Sequence, residues 1–412
     1  MLSGMNREFL STCIHGRDLL NDDCVAGHYD ADELARRATT IVQYGFAALK
    51  LEQILIKRKA AQCVRTTPHA VVLRGLNKLI RQATQIRPSD RDTIIRRLTT
   101  VLQEGVPHRL YKFDIKAFFE SVDTKRLFEQ VANIPTLPRN ATLVLLNYLN
   151  ELNSRGIIGL PRGVPLSATL SEFALQRFDR ELSLLPEIYF HARYVDDIVI
   201  VTSARENPRE FARKIRRLLT PLGLELNHQK TKTIEIPVQL KSDGKAILGR
   251  FDYLGYAFAV HESTRNGDNR LFRDVKVTIA DTKIARLKAR LCCSIAVFLR
   301  DGDVGKLERR LQLLTGNYNV RDFVKNRSRN TGLYCNYRRV NSLAALTELD
   351  AFLRSILVGN RSRLSKRLAA KISLNVRKSF LKFSFESSFR QRTFYNFTTT
   401  ELSDLRRCWR DG

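Results

Sequence analysis

The chain has 412 residues, 43% of them hydrophobic, and a formal net charge of +28 from 70 Lys and Arg against 42 Asp and Glu. With no long Gly/Ser or Pro tract, this is a globular composition, and the length allows two or three domains with a sizeable core. The basic excess runs along the whole sequence rather than a tail, which favours a polyanion lying across a large surface, nucleic acid before any other partner. The seven cysteines (Cys13, Cys24, Cys63, Cys292, Cys293, Cys335 and Cys408) form no CxxC pair and no Cys/His ligand spacing, so reduced thiols without structural zinc are expected. The start, MLSGMNREFLSTCIHGRD, lacks an apolar h-region, and no later stretch is long and apolar enough to span a bilayer. A cytoplasmic protein is the expectation.

Residues 1 to 30 carry no clear pattern. From Asp30, an N-cap candidate, the run ADELARRATTIVQYGFAALKLEQILIKRKAAQ has apolar residues at roughly helical spacing and closes on a basic cluster, Lys57, Arg58 and Lys59. It reads as one helix that braces the body or touches RNA. Residues 65 to 110 read as two Arg-rich helices, separated by IRPSDRD with Ser89 or Asp90 as the cap. Next, HRLYKFDIKAFFESVD places Leu110, Phe113 and Ile115 in a short strand with Asp114 near its end. An acid there either caps the following helix or serves chemistry.

Leu127 to Ala132 and Thr142 to Glu151 read as helices, broken between them by Pro135 and Pro138. A Gly/Pro loop containing Gly159, Pro161, Arg162 and Gly163 then runs into a helix beginning near Ser167. Such a loop lets backbone approach a ligand closely, although a plain connector would serve the fold as well. The stretch FHARYVDDIVIVT, Phe190 to Thr202, sets two β-prone runs around Asp196 and Asp197, a hairpin with carboxylates at its tip. Two neighbouring negative charges among Val and Ile call for a compensating cation, and a divalent metal is the natural one. Joined with Asp114 from a separate strand, they have the makings of a two-metal phosphoryl-transfer site, which needs carboxylates converging from different elements.

Downstream, ENPREFARKIRRLLTPLGLELNHQKTKTIEI reads as a basic amphipathic helix, a turn at Pro221 to Gly223 and a strand, with Lys230 and Lys232 flanking Thr231. FDYLGYAFAV, Phe251 to Val260, is an aromatic β-hairpin expected beside the active site. From about residue 275 the periods turn helical and rich in Arg and Lys, with aromatics interleaved in GLYCNYRRV and SSFRQRTFYNF. They suit a clamp on a duplex and a platform for single-stranded RNA, or else a helical domain with solvated charges and core aromatics.

Taken in order, FDIKAFFESVD, GLPRGVPLSATLSEFAL, RYVDDIVIV, LGLELNHQKTK and FDYLGYAF resemble the linked palm and fingers motifs of reverse transcriptases, over roughly residues 60 to 260. The resemblance implies an α+β right-hand polymerase fold. Residues 1–60 would be an N-terminal helical extension, 61–265 fingers and palm, and 266–412 a helical basic thumb and nucleic-acid-binding region. It implies Asp114 and Asp196 as metal ligands, with Asp197 a ligand or close electrostatic support, for two Mg²⁺ ions, with Mn²⁺ as the alternative. By the same resemblance the backbone at Ile115 lies near the triphosphate and Phe119 is the steric gate against a ribose 2′-OH, which makes dNTPs the substrates. Lys230, or alternatively Lys232, is then the cation beside the triphosphate.

The positioning motif, usually LPQG followed by SP, has Arg162 before Gly163 at the Gln position and Ala168 at the Pro position, which brings a permanent charge to nucleotide or template handling. These departures are similar to the bacterial antiphage-defence reverse transcriptases of the unknown-group lineage. That similarity implies a dedicated non-coding RNA template, a DNA product and a role as the smaller enzyme beside a second reverse transcriptase, with a homo-oligomer left open. A retron-type enzyme making RNA-linked DNA and an inactive RNA-binding scaffold are the alternatives.

Overall fold

The computed structural model describes residues 4–409 except 17, 57–58, 87–89, 239–245, 266, 268 and 323–326. Lys57, Arg58 and Ser89 therefore lie outside the described residues. The chain divides into two compact units, Met1–Arg91 with His108–Glu235, and Asp92–Pro107 with Ile236–Gly412.

The first unit contains strands β1 (Leu51–Ile56), β2 (Lys59–Val64), β3 (His108–Asp114), β4 (Ile188–Tyr194), β5 (Asp197–Thr202) and β6 (Lys232–Ile236). The last four form one sheet in the order β4-β5-β3-β6. β5 is interior to that sheet, and Ile198, Val199, Ile200 and Val201 are all fully buried, which is why its sequence is an unbroken apolar run rather than an alternating one. Helix Pro208–Leu219 turns Phe211, Ile215 and Leu219 inward at four-residue spacing, and the Phe211 ring lies 4.7 Å from that of Tyr111 on β3. One core joins Met5, Leu10 and Leu34 to Phe113, Ile198 and Ile215, so the N-terminal residues are built into the body that carries the sheet.

The long helix expected from Asp30 is shorter than its periodicity suggested. Asp30 does cap it, accepting from the Glu33 N–H at 2.7 Å, but the helix is Ala31–Tyr44 and stops at Gly45, φ +95°. LEQILI and KAAQCV instead pair as the antiparallel hairpin β1-β2, Leu51 opposite Val64. The Gln62 N–H donates to Arg162 O at 2.6 Å, so tertiary docking of β2 decides a segment whose apolar spacing suits either period. The helix after the Gly/Pro loop starts at Pro165 rather than Ser167, since proline is preorganised for a first helical turn.

The second unit contains the antiparallel meander β7 (Ile247–Tyr253), β8 (Tyr256–Arg265) and β9 (Leu271–Ile279). FDYLGYAF is its first hairpin, with Leu254 at φ +47° and Gly255 at φ +81° filling the two-residue turn. The remainder is predominantly helical as expected, but β9 runs to Ile279, and β10 (Asn317–Asp322), β11 (Arg327–Gly332) and β12 (Phe394–Tyr395) add a small sheet. Phe298, Leu307, Leu349 and Phe385 belong to this unit's own core. Phe389 is also buried there, its ring 5.3 Å from Tyr334, so part of the aromatic interleaving serves packing. Among the described residues, no helix is long and apolar enough to cross a membrane.

Candidate active site

The β3/β5 register sets Asp114 directly opposite Asp197, and the Ile115 N–H donates to Asp196 O at 3.1 Å. Two elements far apart in sequence thus deliver their three acids to one sheet end. Asp114 ends a buried strand and does not cap a helix: the next one, Phe118–Ser121, has Ala117 at its N-cap position, φ +43°. The hairpin tip is a two-residue turn, Val195 and Asp196, with Val195 at φ +60°. A β-branched residue in the left-handed region costs about 1–3 kcal/mol and persists only where its surroundings hold it.

Arg193 provides that hold. Its guanidinium, 95% buried by side-chain accessibility (5% exposed), donates to Asp179 at 3.0 and 2.6 Å, to Glu172 at 3.1 and 2.8 Å, and to the Val195 carbonyl at 3.2 Å. Burial works against its charge, but the two carboxylates outweigh that and hold its pKa above the ordinary arginine value. Helices Pro165–Ala174 and Gln176–Ser183 supply the acids, so the turn is tied to the scaffold through a paired charge.

Asp114 is itself held by the segment after the amphipathic helix. Lys230 Nζ donates to both its carboxylate oxygens at 2.9 and 3.0 Å, and Asn227 Nδ2 to Oδ2 at 3.3 Å. Asn227 also donates its backbone N–H to Asp114 O at 2.7 Å, and the Lys116 N–H donates to Glu225 O at 2.9 Å. The hydrogen bond from Lys230 to Asp114, joined by the fields of Asp114, Asp196 and Asp197, raises the lysine's pKa. Burial raises that of Asp197, with Asp196 and Asp114 adding repulsion and Lys112 and Lys230 opposing it. Of the two candidates, Lys230 therefore lies on the acids, whereas Lys232 begins β6.

A second group adjoins the first. Arg162 donates from Nε and Nη2 to Glu120 at 2.7 and 3.0 Å, and its guanidinium lies 5.2 Å from the Phe119 ring centre. The hydrogen bonds it donates to Glu120, and more weakly the field of Asp196, raise its pKa. Here the charge that replaces the usual glutamine has a local carboxylate partner. Gly163, φ +93°, runs so close to β2 that a Cβ would sit 2.6 Å from Gln62 O, and Leu160 donates to Phe119 O at 2.8 Å. The loop is thus clamped between the β1-β2 hairpin and the Phe119 turn. Ile115 is fully buried with its N–H committed to Asp196 O.

Sequence reasoning named all three acids, Lys230, Phe119 and Arg162, but missed Asn227, Glu120 and the Arg193–Glu172–Asp179 cluster. Asn227 stands three residues before Lys230, a spacing that could have flagged it. The partners of Arg162 and Arg193 leave no local signal.

Among the described residues, no group of three His, Cys, Asp or Glu is gathered into a ready metal cage. The donor set still fits hard divalent cations: three carboxylates, mutually repelling, with a lysine supplying the compensating charge.

Residues 57–258 match the family profile described as reverse transcriptase (RNA-dependent DNA polymerase). Together with the palm-like sheet this is the expected α+β right-hand polymerase fold. No curated protein matches the chain. Among solved structures, it is similar to apo telomerase from Candida tropicalis, with 13% identity over 87% of this chain and 61% of that one, at a TM-score of 0.39. The same telomerase truncated from its C-terminal domain gives 15% identity over 56% and 55%, at 0.35. The chain thus spans between about half and three-fifths of the length of these structures.

Proposed function

With a reverse transcriptase domain at residues 57–258 as the premise, we propose that the chain is an RNA-directed DNA polymerase whose active site is Asp114, Asp196 and Asp197. The supporting observation is the β3/β5 register that sets Asp114 against the hairpin acids, with Lys230 bonded across the Asp114 carboxylate. Asp114, Asp196 and Asp197 would hold two divalent cations, Mg²⁺ or Mn²⁺, which when bound activate a primer 3′-OH and neutralise charge on the transferring phosphoryl group.

The protein's own groups do the rest. Lys230, whose ammonium lies on the Asp114 carboxylate, would be the group that donates a proton to the departing pyrophosphate. Arg193 and Val195 fix the hairpin tip so that the acids need no reorganisation on substrate binding. Phe119 stands as the gate against a ribose 2′-OH, and Arg162, steadied by Glu120, offers its remaining donors to template or triphosphate along the loop ending at Gly163. In this reading residues 61–265 act as fingers and palm, 1–60 as an extension of that body, and 266–412 as the thumb.

Asp196→Asn tests the site. Primer extension on an RNA template should fall by roughly three orders of magnitude or more, while filter binding of RNA stays near wild type because the distributed basic surface is untouched. Normal extension by that variant would remove the assignment. Within this reading we place the chain among bacterial antiphage-defence enzymes of the unknown-group lineage, working in the cytoplasm with a non-coding RNA template and alongside a second reverse transcriptase or a further copy of itself. The support is the resemblance of ESVD, PRGV and SATLSE to that lineage. Sequencing the RNA and DNA that copurify from the native locus decides it: a single dedicated RNA is expected, and a random cellular mixture would overturn it.

A further inference from the structure

The second unit holds a cavity of about 350 Å³, set among helix Asp281–Asp301, β10, helix Leu333–Tyr337 and the end of helix Thr399–Arg407. Lys283, Arg286, Arg290 and Arg406 line it, and among the described residues no Asp or Glu does. Among the described residues, Arg286, Arg290 and Arg406 form no ion pair with a carboxylate.

The cavity has an aromatic floor. Trp409 donates from Nε1 to Arg290 O at 3.2 Å and to Ser294 Oγ at 3.1 Å, which fixes the indole plane, and the Arg290 guanidinium lies 5.3 Å from its centre. Arg406 donates from Nη2 to Tyr318 Oη at 2.6 Å and lies 5.4 Å from that ring. Burial lowers the pKa of Arg290, and Arg286 and Arg406 lower it further by like-charge repulsion. Gathered cations without acids repel one another, and an anionic ligand is what relieves them.

From this geometry we propose that the cavity binds a phosphorylated nucleotide, its base against Trp409 and its phosphate among Arg286, Arg290 and Arg406. The volume is at the small end of the ~300–1,000 Å³ typical of ligand pockets, room for one nucleotide unit rather than a stretch of strand. Base–aromatic stacking and forked arginine–phosphate bonds are the interactions such a unit uses. Three clustered arginines exceed what a singly charged internal phosphodiester needs and suit a terminal phosphate, whether on a free nucleotide or on the end of an RNA. The site is built wholly from the second unit and does not depend on the polymerase assignment.

Trp409 is the chain's only tryptophan, so its fluorescence reports on this cavity alone. The experiment titrates the full-length protein with ATP, AMP, adenosine, and one short RNA carrying either a 5′-triphosphate or a 5′-hydroxyl. Saturable quenching by the phosphorylated probes, absent with adenosine and with 5′-hydroxyl RNA, is expected. Arg286→Gln, at an exposed position whose loss leaves the core intact, should weaken it at least tenfold with an unchanged thermal melt. If the triphosphorylated RNA binds more tightly than ATP, the ligand is an RNA end; if ATP matches it, the ligand is a free nucleotide. Quenching equally strong with adenosine, none with any probe, or no change in Arg286→Gln would overturn the proposal. Because no polymerisation is read, a dead polymerase and an empty cavity give different results.

Discussion

Around the acids of the first unit three cations have anionic partners: Lys230 has Asp114, Arg162 has Glu120, and Arg193 has Glu172 and Asp179. Around the cavity of the second unit, Arg286, Arg290 and Arg406 stand together with no carboxylate between them among the described residues. The contrast separates two uses of charge. Paired groups fix positions, because removing either partner strands the other, whereas a cluster of one sign stores repulsion that a ligand can discharge.

The largest disturbance of the paired region is expected from Arg193→Met. It leaves Glu172 and Asp179 without their shared guanidinium, and breaking a buried pair from one side costs about 3–5 kcal/mol, measurable by chemical denaturation. A cost near zero would mean that solvent or another group takes over the two carboxylates. Lys230→Met should leave the fold intact but lower the turnover number roughly 100-fold, read in single-nucleotide incorporation. An unchanged rate would strip Lys230 of its role toward pyrophosphate. Phe119→Ala should raise the use of ribonucleotides relative to deoxynucleotides by about tenfold, measured by competitive incorporation, and unchanged discrimination would place the gate elsewhere.

A pH-dependent effect concerns a neutral group in the same region. His69 is buried with neither ring nitrogen hydrogen-bonded among the described residues, and burial drops its pKa to about 4. The native state keeps it neutral while the unfolded chain takes up a proton below its ordinary 6.5. Its contribution is therefore fully present above pH 6.5 and declines as pH falls toward 4, by up to about 1.4 kcal/mol per pH unit. Thermal melts across that window should show a slope that His69→Phe flattens; an equal slope in the variant would assign it to other groups.

Legibility in the sequence followed the range of the interaction. Asp196 and Asp197 could be read because a hairpin is a local pattern of β-prone residues around a turn. Asp114 could be read because its strand is apolar on both sides of it. The Asp30 cap was equally local and is present. The β1-β2 hairpin was misread as helix because its apolar spacing fits both periods, and only docking against the loop at Arg162 chooses between them.

By itself, then, the sequence determined the strand that carries Asp114, the hairpin that carries the other two acids and the basic character of the whole chain, since each follows from composition or from neighbours a few residues apart. Tertiary structure alone decided that Asp114 faces Asp197, that Lys230 rather than Lys232 meets it, and that Arg162 and Arg193 are balanced charges while, among the described residues, Arg286, Arg290 and Arg406 are not. The physical reason is the same in each case: whether a charge is paired depends on what the fold brings to it from tens or hundreds of residues away, and no local pattern records that distance.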